Sequence, residues 1–480
     1  MKSSSLRPVV SLMLGLGVAI VALVTPVRSV SGAPAHPAAR PTLRLFSPDS
    51  QVTAYKFKKQ PAKLDAEVFV SAAGAPLEFI LDRPAYDEPV HIRQVLGDET
   101  RRLPDDILAG WDGFAAFFKL QAKDEAGNVV YRGKQRFCPS AEVRRPLEAG
   151  DLGSPAFILG CQANEFTKGM RWGIEEGWAA EAFGDRGARI DVPPGRYAVK
   201  VVITERFRRL FDIAKRDSKA SFDVTVEKTT ECFECDGYFE SPGTDPTPYE
   251  PVPEITDPAK NVLPDLIPLP PYGINVMNEQ GGSYLGFAAH VWVAGDSDLV
   301  VEGYSEPGGP RLDAYQYFFT DGVADSRANV GHFHYDNRDG HDHWHLDRFS
   351  VYRLIDATDG SVITSEKQGF CLGPTSPTDL TIPGAVQQPI VPQYETTCGV
   401  PESTWLREVI PLGWGDTYHQ NLPGQSFDIT EVPNGRYFIE IEANPDGFLY
   451  EQKRGNDIIR RKVVLKGRAG NRKVDFGPVR

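Results

Sequence analysis

The chain has 480 residues, enough for two or more domains, and its 45 glycines and 39 prolines predict a fold with many turns. It carries 52 lysines and arginines against 65 aspartates and glutamates, a formal net charge of −13. This acidic balance argues against nucleic-acid binding, and it suits either cationic partners or solubility alone.

The first 35 residues are predicted to be a secretory signal. Lys2 and Arg7 precede an apolar run over residues 9–24, which is short for a membrane span. Small residues ending at Ala35 predict cleavage after that position. Because no second apolar span follows, the mature protein is expected to be exported, soluble and not membrane-spanning.

Short strands are predicted along the first half. Alternating, β-branched and aromatic runs indicate strands at residues 43–46, 52–57, 66–72, 77–81, 114–122, 128–133, 196–204 and 222–227. A helix is predicted over residues 172–183. Residues 231–260 are rich in proline, glycine and acid without periodicity, which predicts an interdomain linker.

The second half repeats this pattern. Strands are indicated at residues 284–294, 298–304, 349–356, 427–432, 436–443 and 458–465. The chain is therefore predicted to be all-β, with two tandem β-sandwich-like domains and few short helices. The domains are expected at residues 42–230 and 261–466, and the basic tail at 467–480 is expected to be loose.

An internal repeat relates the two halves. Residues 111–138 and 344–371 have equal length without a gap, open with tryptophan and close with K-Q-x-F-C. A second cysteine, a Gly-Trp pair and a V-P-x-G-R-Y turn follow each in the same order. We infer two copies of one β domain, each closed by its own disulfide, Cys138–Cys161 and Cys371–Cys398.

The two remaining cysteines, Cys232 and Cys235, lie in the predicted linker. A redox-active C-x-x-C pair usually opens a helix, whereas proline and glycine follow this one. An even cysteine count in an exported chain favours disulfides, so a local structural disulfide is predicted here.

Three histidines of the second half, His341, His343 and His345, alternate as H-x-H-x-H after an acidic turn at residues 336–340. On a β-strand, side chains at this period leave one face about 7 Å apart, so three imidazoles can reach one ion. Neutral imidazole suits zinc, copper, nickel and iron. The pattern predicts a metal site.

The first copy lacks these side chains. Leu108, Gly110 and Asp112 occupy the positions of the three histidines, and Phe183 lies where Tyr418 lies. Residues shared by both copies are therefore expected to be structural, and residues found only in the second copy are expected to be functional. This difference makes the second half the predicted functional domain.

The second half resembles the catalytic domain of the lysyl oxidases, which are copper-dependent amine oxidases. H-D-H-W-H at residues 341–345 is similar to that family's H-Q-H-Y-H. Four further motifs are similar in kind and keep the family's order: L-P-D-L-I-P at 263–268, K-Q-G-F-C-L at 367–372, G-W-G-D-T-Y at 413–418 and F-D-I-T-E-V-P-N-G-R-Y at 427–437. The resemblance runs through most of residues 261–466, and on this reading the first half is a degenerate copy.

The resemblance implies two cofactors. Copper would be held by His341, His343 and His345, in the tetragonal nitrogen and oxygen ligation that copper(II) prefers. Lysine tyrosylquinone would form by cross-linking Lys367 to Tyr418. A primary amine, peptidyl lysine included, would then be oxidised by molecular oxygen to an aldehyde, with release of ammonia and hydrogen peroxide.

The chain departs from the family at one functional position. Animal members read F-S-H-Y-D-L after the copper motif, and that histidine is a proposed catalytic base. Here Val351 stands in its place and cannot transfer a proton. Asp347, His334, His332 and His419 are alternatives, and the sequence does not choose among them.

The resemblance also implies a calcium site. Hard oxygen ligands of the kind that calcium prefers are present. Lys453 replaces an aspartate of the family's pattern, and the alternative is a surface turn. The positions concerned are Asp265, Leu266 (through its carbonyl), Glu451, Asn456 and Asp457.

Two function classes follow from the sequence. The first is a secreted, copper- and quinone-dependent amine oxidase acting on primary amines. The alternative is a non-enzymatic secreted protein that keeps the fold and binds copper or a surface partner. A covalent link between Lys367 and Tyr418 separates the two classes, because only the oxidase needs it.

Overall fold

The structure is a computed structural model. It describes residues 40–479 except 65, 142, 149–154, 162, 185–186, 231–246, 280, 306–308, 310, 339–341, 366, 368 and 390–391. The predicted signal peptide, the Cys232–Cys235 pair and His341 lie outside the described residues.

Strands dominate both halves, as the alternating patterns predict. The first half contains β1 Thr42–Phe46, β2 Gln51–Phe57, β3 Ala62–Leu64, β4 Phe69–Ala73, β5 Leu77–Asp82, β6 His91–Leu96, β7 Glu99–Arg102, β8 Phe114–Lys123, β9 Val129–Phe137, β10 Arg144–Pro146, β11 Gly169–Ile174, β12 Trp178–Glu181, β13 Ala188–Ile190, β14 Gly195–Ile203 and β15 Lys219–Thr229. The second half contains β16 Pro264–Pro268, β17 Tyr272–Glu279, β18 Gly282–Gly295, β19 Leu299–Tyr304, β20 Arg311–Thr320, β21 Val323–Asp336, β22 His343–Asp347, β23 Ser350–Asp356, β24 Val362–Thr364, β25 Gly369–Phe370, β26 Ser376–Pro377, β27 Trp405–Ile410, β28 Trp414–Tyr418, β29 Ser426–Asp428, β30 Gly435–Ala443, β31 Ile458–Arg468 and β32 Asn471–Phe476.

Helices are few. The described residues contain one α-helix, α1 Glu205–Leu210, and four 3-10 turns, Asp105–Ile107, Lys215–Ser218, Lys260–Val262 and Pro392–Tyr394. The predicted all-β fold class is confirmed. Over the same residues, no helix has the length and apolar character that crossing a membrane would require.

The helix predicted over residues 172–183 is wrong. Alanine and glutamate favour a helix there, but the segment forms β11 and β12 with a turn at Gly177. Trp172 pairs with Phe79 of β5, and β12 pairs with β4. Cross-strand packing in two separate sheets overrides the weak local preference.

The tail after residue 467 is not loose. It forms β32, which pairs antiparallel with β31. Arg472 of β32 is buried; it donates to Asn434 Oδ1 at 2.7 Å, to the Thr430 carbonyl at 3.2 Å and to the Val432 carbonyl. A basic segment is usually solvated, but here the Arg472 guanidinium is buried and donates hydrogen bonds.

The strand order recurs between the halves. The sheet β1-β4-β12-β10 has the order of β16-β18-β28-β26, and β11-β5-β6-β7 has the order of β27-β19-β20-β21. In the third pair, β15-β14-β8-β9 corresponds to β31-β30-β23-β24. The second-half sheet continues beyond β21 with β22 and β25, whereas its counterpart ends at β7. These two additional strands carry or adjoin the predicted functional residues.

The apolar core is continuous across both halves, with Trp172 and Phe114 in the first half and Trp344 and Phe287 in the second. The described residues from 40 to 479 belong to one compact unit. The predicted domain boundaries themselves stay a prediction.

Two disulfides join the cysteines that the repeat pairs, Cys138 with Cys161 and Cys371 with Cys398. The described end of the predicted linker packs against the second half. Tyr249 stacks on the Arg407 guanidinium at 3.9 Å from the ring centroid.

We expect Arg472→Ala to lower the free energy of unfolding by about 2–3 kcal/mol, because hydrogen bonds from a charged donor are each worth roughly 1.5–3 kcal/mol. Denaturant unfolding of the full chain measures this change. The exposed neighbour Lys473 supplies the control, since Lys473→Ala should change stability by less than about 0.5 kcal/mol. Equal effects of the two substitutions would show that the tail strand does not stabilise the fold.

Candidate functional site

Two of the predicted metal ligands converge on one face of β22. The Nε2 atoms of His343 and His345 lie 2.9 Å apart, while Trp344 points to the opposite face and is buried. Two nitrogens each about 2 Å from one ion at a right angle are about 2.9 Å apart. The pair therefore has the spacing of two ligands to a single metal, and the donor set fits copper.

A carboxylate stands behind this pair. Strand β21 places Asp336 beside His343 and His334 beside His345. Asp336 Oδ2 lies 3.6 Å from His345 Nδ1, and Arg338 donates to the same carboxylate. A carboxylate on the far nitrogen of a ligand histidine fixes the ring's tautomer and orientation. Asp336 places a negative charge beside the far nitrogen of His345, although the 3.6 Å separation is longer than a hydrogen bond.

Sequence reasoning missed the role of Asp336, because it assigned residues 336–340 to a plain acidic turn. Within the described residues, His334, Asp336 and His345 are the one group of three potential ligands whose donor atoms lie within 4.8 Å of one another. A signal was present: His332, His334 and Asp336 alternate with period two, as the predicted ligands do.

A cleft of about 940 Å³ opens beside the histidines. His332, His334 and Asp347 line it, so three of the four alternatives to Val351 face this space; His419 does not line it. His334 Nδ1 lies 2.5 Å from Asp347 Oδ1, and this hydrogen bond raises the pKa of His334. The cleft thus presents a paired imidazole and carboxylate next to the candidate metal site.

The predicted cross-link partners are in contact. Lys367 Nζ lies 4.4 Å from the centroid of the Tyr418 ring and 4.9 Å from that of Phe370. Phe370 meets the Tyr418 ring edge-on at 5.0 Å, and the Tyr418 hydroxyl donates to the Cys371 carbonyl at 2.7 Å. Two residues far apart in sequence are thus held together by β25 and β28.

Burial tunes the charges at this contact. Lys367 is 5% exposed, and burial lowers the pKa of its ammonium to about 8, against the opposing pull of Asp416 and Asp336. Burial also raises the pKa of Asp416 to about 7, and it raises the pKa of the Tyr418 hydroxyl, with Asp416 adding to the effect. With this pKa, roughly a tenth of Lys367 is a neutral amine at pH 7, far more than for an exposed lysine.

The Cys371–Cys398 disulfide connects the two parts of the site. The Cys371 carbonyl accepts the Tyr418 hydroxyl, and the Cys398 carbonyl accepts the backbone amide of Trp344 at 2.8 Å. The indole of Trp344 also donates to the Val400 carbonyl at 2.8 Å. One covalent link therefore joins the backbone behind the histidines to the backbone that holds Tyr418.

The predicted calcium ligands come together, but with two cations over them. Lys453 Nζ lies 3.2 Å from buried Asp265, and Arg454 contacts Glu451 at 2.9 Å and Asp457 at 3.3 Å. The ammonium of Lys453 and the guanidinium of Arg454 thus already neutralise these carboxylates. As the side chains stand, the set does not fit a divalent ion, and calcium binding remains only a prediction from the sequence.

Known proteins resemble part of this chain. Residues 312–473 match the family model for lysyl oxidase. Lysyl oxidase homolog 1 from Homo sapiens is 28% identical over 154 residues, which are 31% of this chain and 23% of the relative. Protein-lysine 6-oxidase from Gallus gallus is 29% identical over 129 residues, 26% of this chain and 27% of the relative.

A third relative, protein-lysine 6-oxidase from Sus scrofa, is 30% identical over 129 residues, 26% of this chain and 45% of the relative. The chain thus spans less than half the length of each of these relatives. The family match includes the histidine, lysine and tyrosine motifs and leaves the first half outside it.

We expect Asp336→Asn to weaken Cu²⁺ binding roughly 10- to 100-fold, because it removes the negative charge that lies 3.6 Å from His345 Nδ1. Calorimetric titration of chelator-stripped protein measures the affinity. Asp313→Asn is the control, since Asp313 pairs with His332 at 3.0 Å and does not touch His345. Unchanged affinity in Asp336→Asn would remove Asp336 from the site.

Proposed function

We propose that this chain, whose residues 312–473 match the lysyl oxidase family model, is a secreted copper- and quinone-dependent amine oxidase. The proposed reaction converts a primary amine, oxygen and water to an aldehyde, ammonia and hydrogen peroxide. Peptidyl lysine is the proposed substrate class, as the names of the protein-lysine 6-oxidases suggest. The contact between Lys367 Nζ and the Tyr418 ring, at 4.4 Å, is the observation that carries the proposal.

His343 and His345, with His341 preceding them on the chain, are the proposed copper ligands. Lys367 and Tyr418 are the proposed source of lysine tyrosylquinone. When bound, copper and the quinone supply the electron sink that takes two electrons from the amine and returns them to oxygen.

The chain's own residues prepare the cross-link. The Lys367 amine is desolvated and lies 4.4 Å from the centroid of the Tyr418 ring, so it is within reach of that ring once oxygen has oxidised it to a quinone. Phe370 packs on the ring and the Cys371 carbonyl holds its hydroxyl, so Tyr418 has little freedom to turn away. This combination of proximity and a lowered lysine pKa is what nucleophilic addition requires.

The cleft beside the histidines is the proposed entrance for the amine. Asp347 and Asp336 line it together with Arg338 and Arg348, so the formal charges of these four groups balance. Because Val351 cannot take the substrate's α-proton, the cleft-lining groups His332, His334 and Asp347 are the proposed acceptors.

Secretion is proposed from the predicted signal over residues 1–35 together with two disulfides in the described chain. Disulfides of this kind persist in oxidising compartments, where oxygen is also available as the electron acceptor.

We expect Tyr418→Phe to abolish amine-dependent peroxide release while Cu²⁺ binding is retained, because the ring then lacks the oxygen from which a quinone is made. Peroxide assays with a panel of amines and lysine-rich proteins measure the loss, and metal analysis measures retention. Phe183→Tyr, at the first-half counterpart of Tyr418, is a matched control that should leave activity unchanged. Full activity in Tyr418→Phe would exclude the proposed cofactor.

We expect the Lys367–Tyr418 link to form faster as pH rises from about 7 to 9, with a midpoint near 8. The sign follows from the lowered pKa of Lys367, since only the neutral amine adds to the ring, and it accumulates above the pKa. Peptide mass spectrometry after aerobic copper loading measures the linked fraction over time, with copper occupancy determined at each pH. Absence of any link at every pH would support the non-enzymatic copper-binding alternative instead.

A further inference from the structure

A fully buried histidine lies behind the strand that carries Tyr418. His290 of β18 has no exposed surface, and its Nδ1 lies 2.7 Å from Thr417 Oγ1. Its Nε2 lies 2.7 Å from Thr378 Oγ1 on the other side. Burial lowers the pKa of His290 to about 3, so the ring is neutral, with one nitrogen donating and the other accepting.

The His290 ring holds strand β28 from the face opposite the Tyr418 side chain. Strand β18 pairs His290 with Thr417 and Ala289 with Tyr418. Because neighbouring side chains of a strand point to opposite faces, holding Thr417 from behind sets the direction in which Tyr418 projects. The backbone amide of Thr417 donates to Thr375 Oγ1 at 2.6 Å, which adds a second restraint.

A segment of the first half completes this support. We call residues 166–169 the docking segment. The Thr167 hydroxyl donates to the Pro377 carbonyl at 2.7 Å, and the Lys168 amide donates to the Thr378 carbonyl at 2.7 Å. The Leu380 amide in turn donates to the Gly169 carbonyl at 2.9 Å. These bonds hold the backbone of Thr378, the residue that binds His290 Nε2.

The docking segment also seals the histidine from water. Phe166 has no exposed surface and stacks on the His290 ring, with centroids 6.3 Å apart and planes inclined by 23°. It meets Tyr272 edge-on at 5.2 Å. At Gly169 a Cβ would lie 2.3 Å from Asp379 Oδ1, so a larger residue would displace the Asp379 side chain.

The first half holds the segment firmly. The Arg83 guanidinium donates to the Thr167 carbonyl at 2.8 Å and to the Glu165 carbonyl at 2.6 Å. The Arg83 amide donates to the Lys168 carbonyl at 2.9 Å. A continuous chain of contacts therefore runs from the first half, through the docking segment, Thr378 and His290, to the strand of Tyr418.

We propose that the first half is a positioning element for Tyr418: residues 166–169 act through Thr378 and His290 to fix the strand from which Tyr418 meets Lys367. The cofactor part of this inference rests on the proposed function, whereas the fixing of the strand does not. The role assigned to the first half is thus specific to one strand of the second half.

The test compares Thr167→Val with Thr204→Val in the full chain. Both remove a threonine hydroxyl that donates to a backbone carbonyl, but Thr204 donates to Ala116 within the first half, at 3.2 Å. In copper-free protein, we expect Thr167→Val to speed amide hydrogen exchange of residues 413–418 by roughly three- to tenfold, with little change in β30. Thr204→Val should leave both regions as in the wild type.

The second readout is the fraction of Lys367–Tyr418 link formed per bound copper. We expect Thr167→Val to lower it and Thr167→Ser, which keeps the hydroxyl, to restore it. Unchanged exchange at residues 413–418, or an equal rise in β30, would overturn the positioning role. If the wild type forms no link while the exchange result holds, the proposed function fails and the positioning of the strand stands.

Discussion

The position of β22 between β21 and β25 is the constraint on which the site depends. Pairing with β21 brings Asp336 to the far nitrogen of His345, and pairing with β25 brings the chain just after Lys367 alongside the histidines. At Gly369 of β25 a Cβ would lie 2.7 Å from that of His345, so the approach is as close as backbone allows. A histidine face, the carboxylate beside it and the lysine are thereby fixed by one set of backbone hydrogen bonds.

This arrangement adds function to a repeated framework without altering it. The three sheets that recur in both halves supply a core rich in aromatic side chains and leave the strand order unchanged. Among other differences at the sheet edges, the second half extends one sheet through β22 and β25. The added strands need no new core of their own, because Trp344, Leu346 and Phe370 pack into the existing one. The two proposed metal ligands that the structure describes, His343 and His345, therefore lie on a strand and not on a loop, which favours a preorganised site.

Much of this could be predicted from the sequence. Period-two alternation located most strands, the repeat paired Cys371 with Cys398, and the H-x-H-x-H pattern placed His343 and His345 on one face. Local propensity failed where tertiary pairing dominates, as in the helix expected around Trp172. The prediction of a loose tail was wrong at Arg472, because the sequence does not distinguish a buried arginine from a solvated one. The roles of Asp336 and of the docking segment depend on which strands are neighbours in the sheets. No local sequence pattern predicts those neighbours.

The Cys371–Cys398 disulfide has a consequence for how the two parts of the site depend on each other. The Cys371 carbonyl accepts the Tyr418 hydroxyl and the Cys398 carbonyl accepts the Trp344 amide, so one covalent bond ties these two backbone contacts together. The backbone at either cysteine is constrained by the other, and the histidine strand and the segment that holds Tyr418 are therefore mechanically coupled.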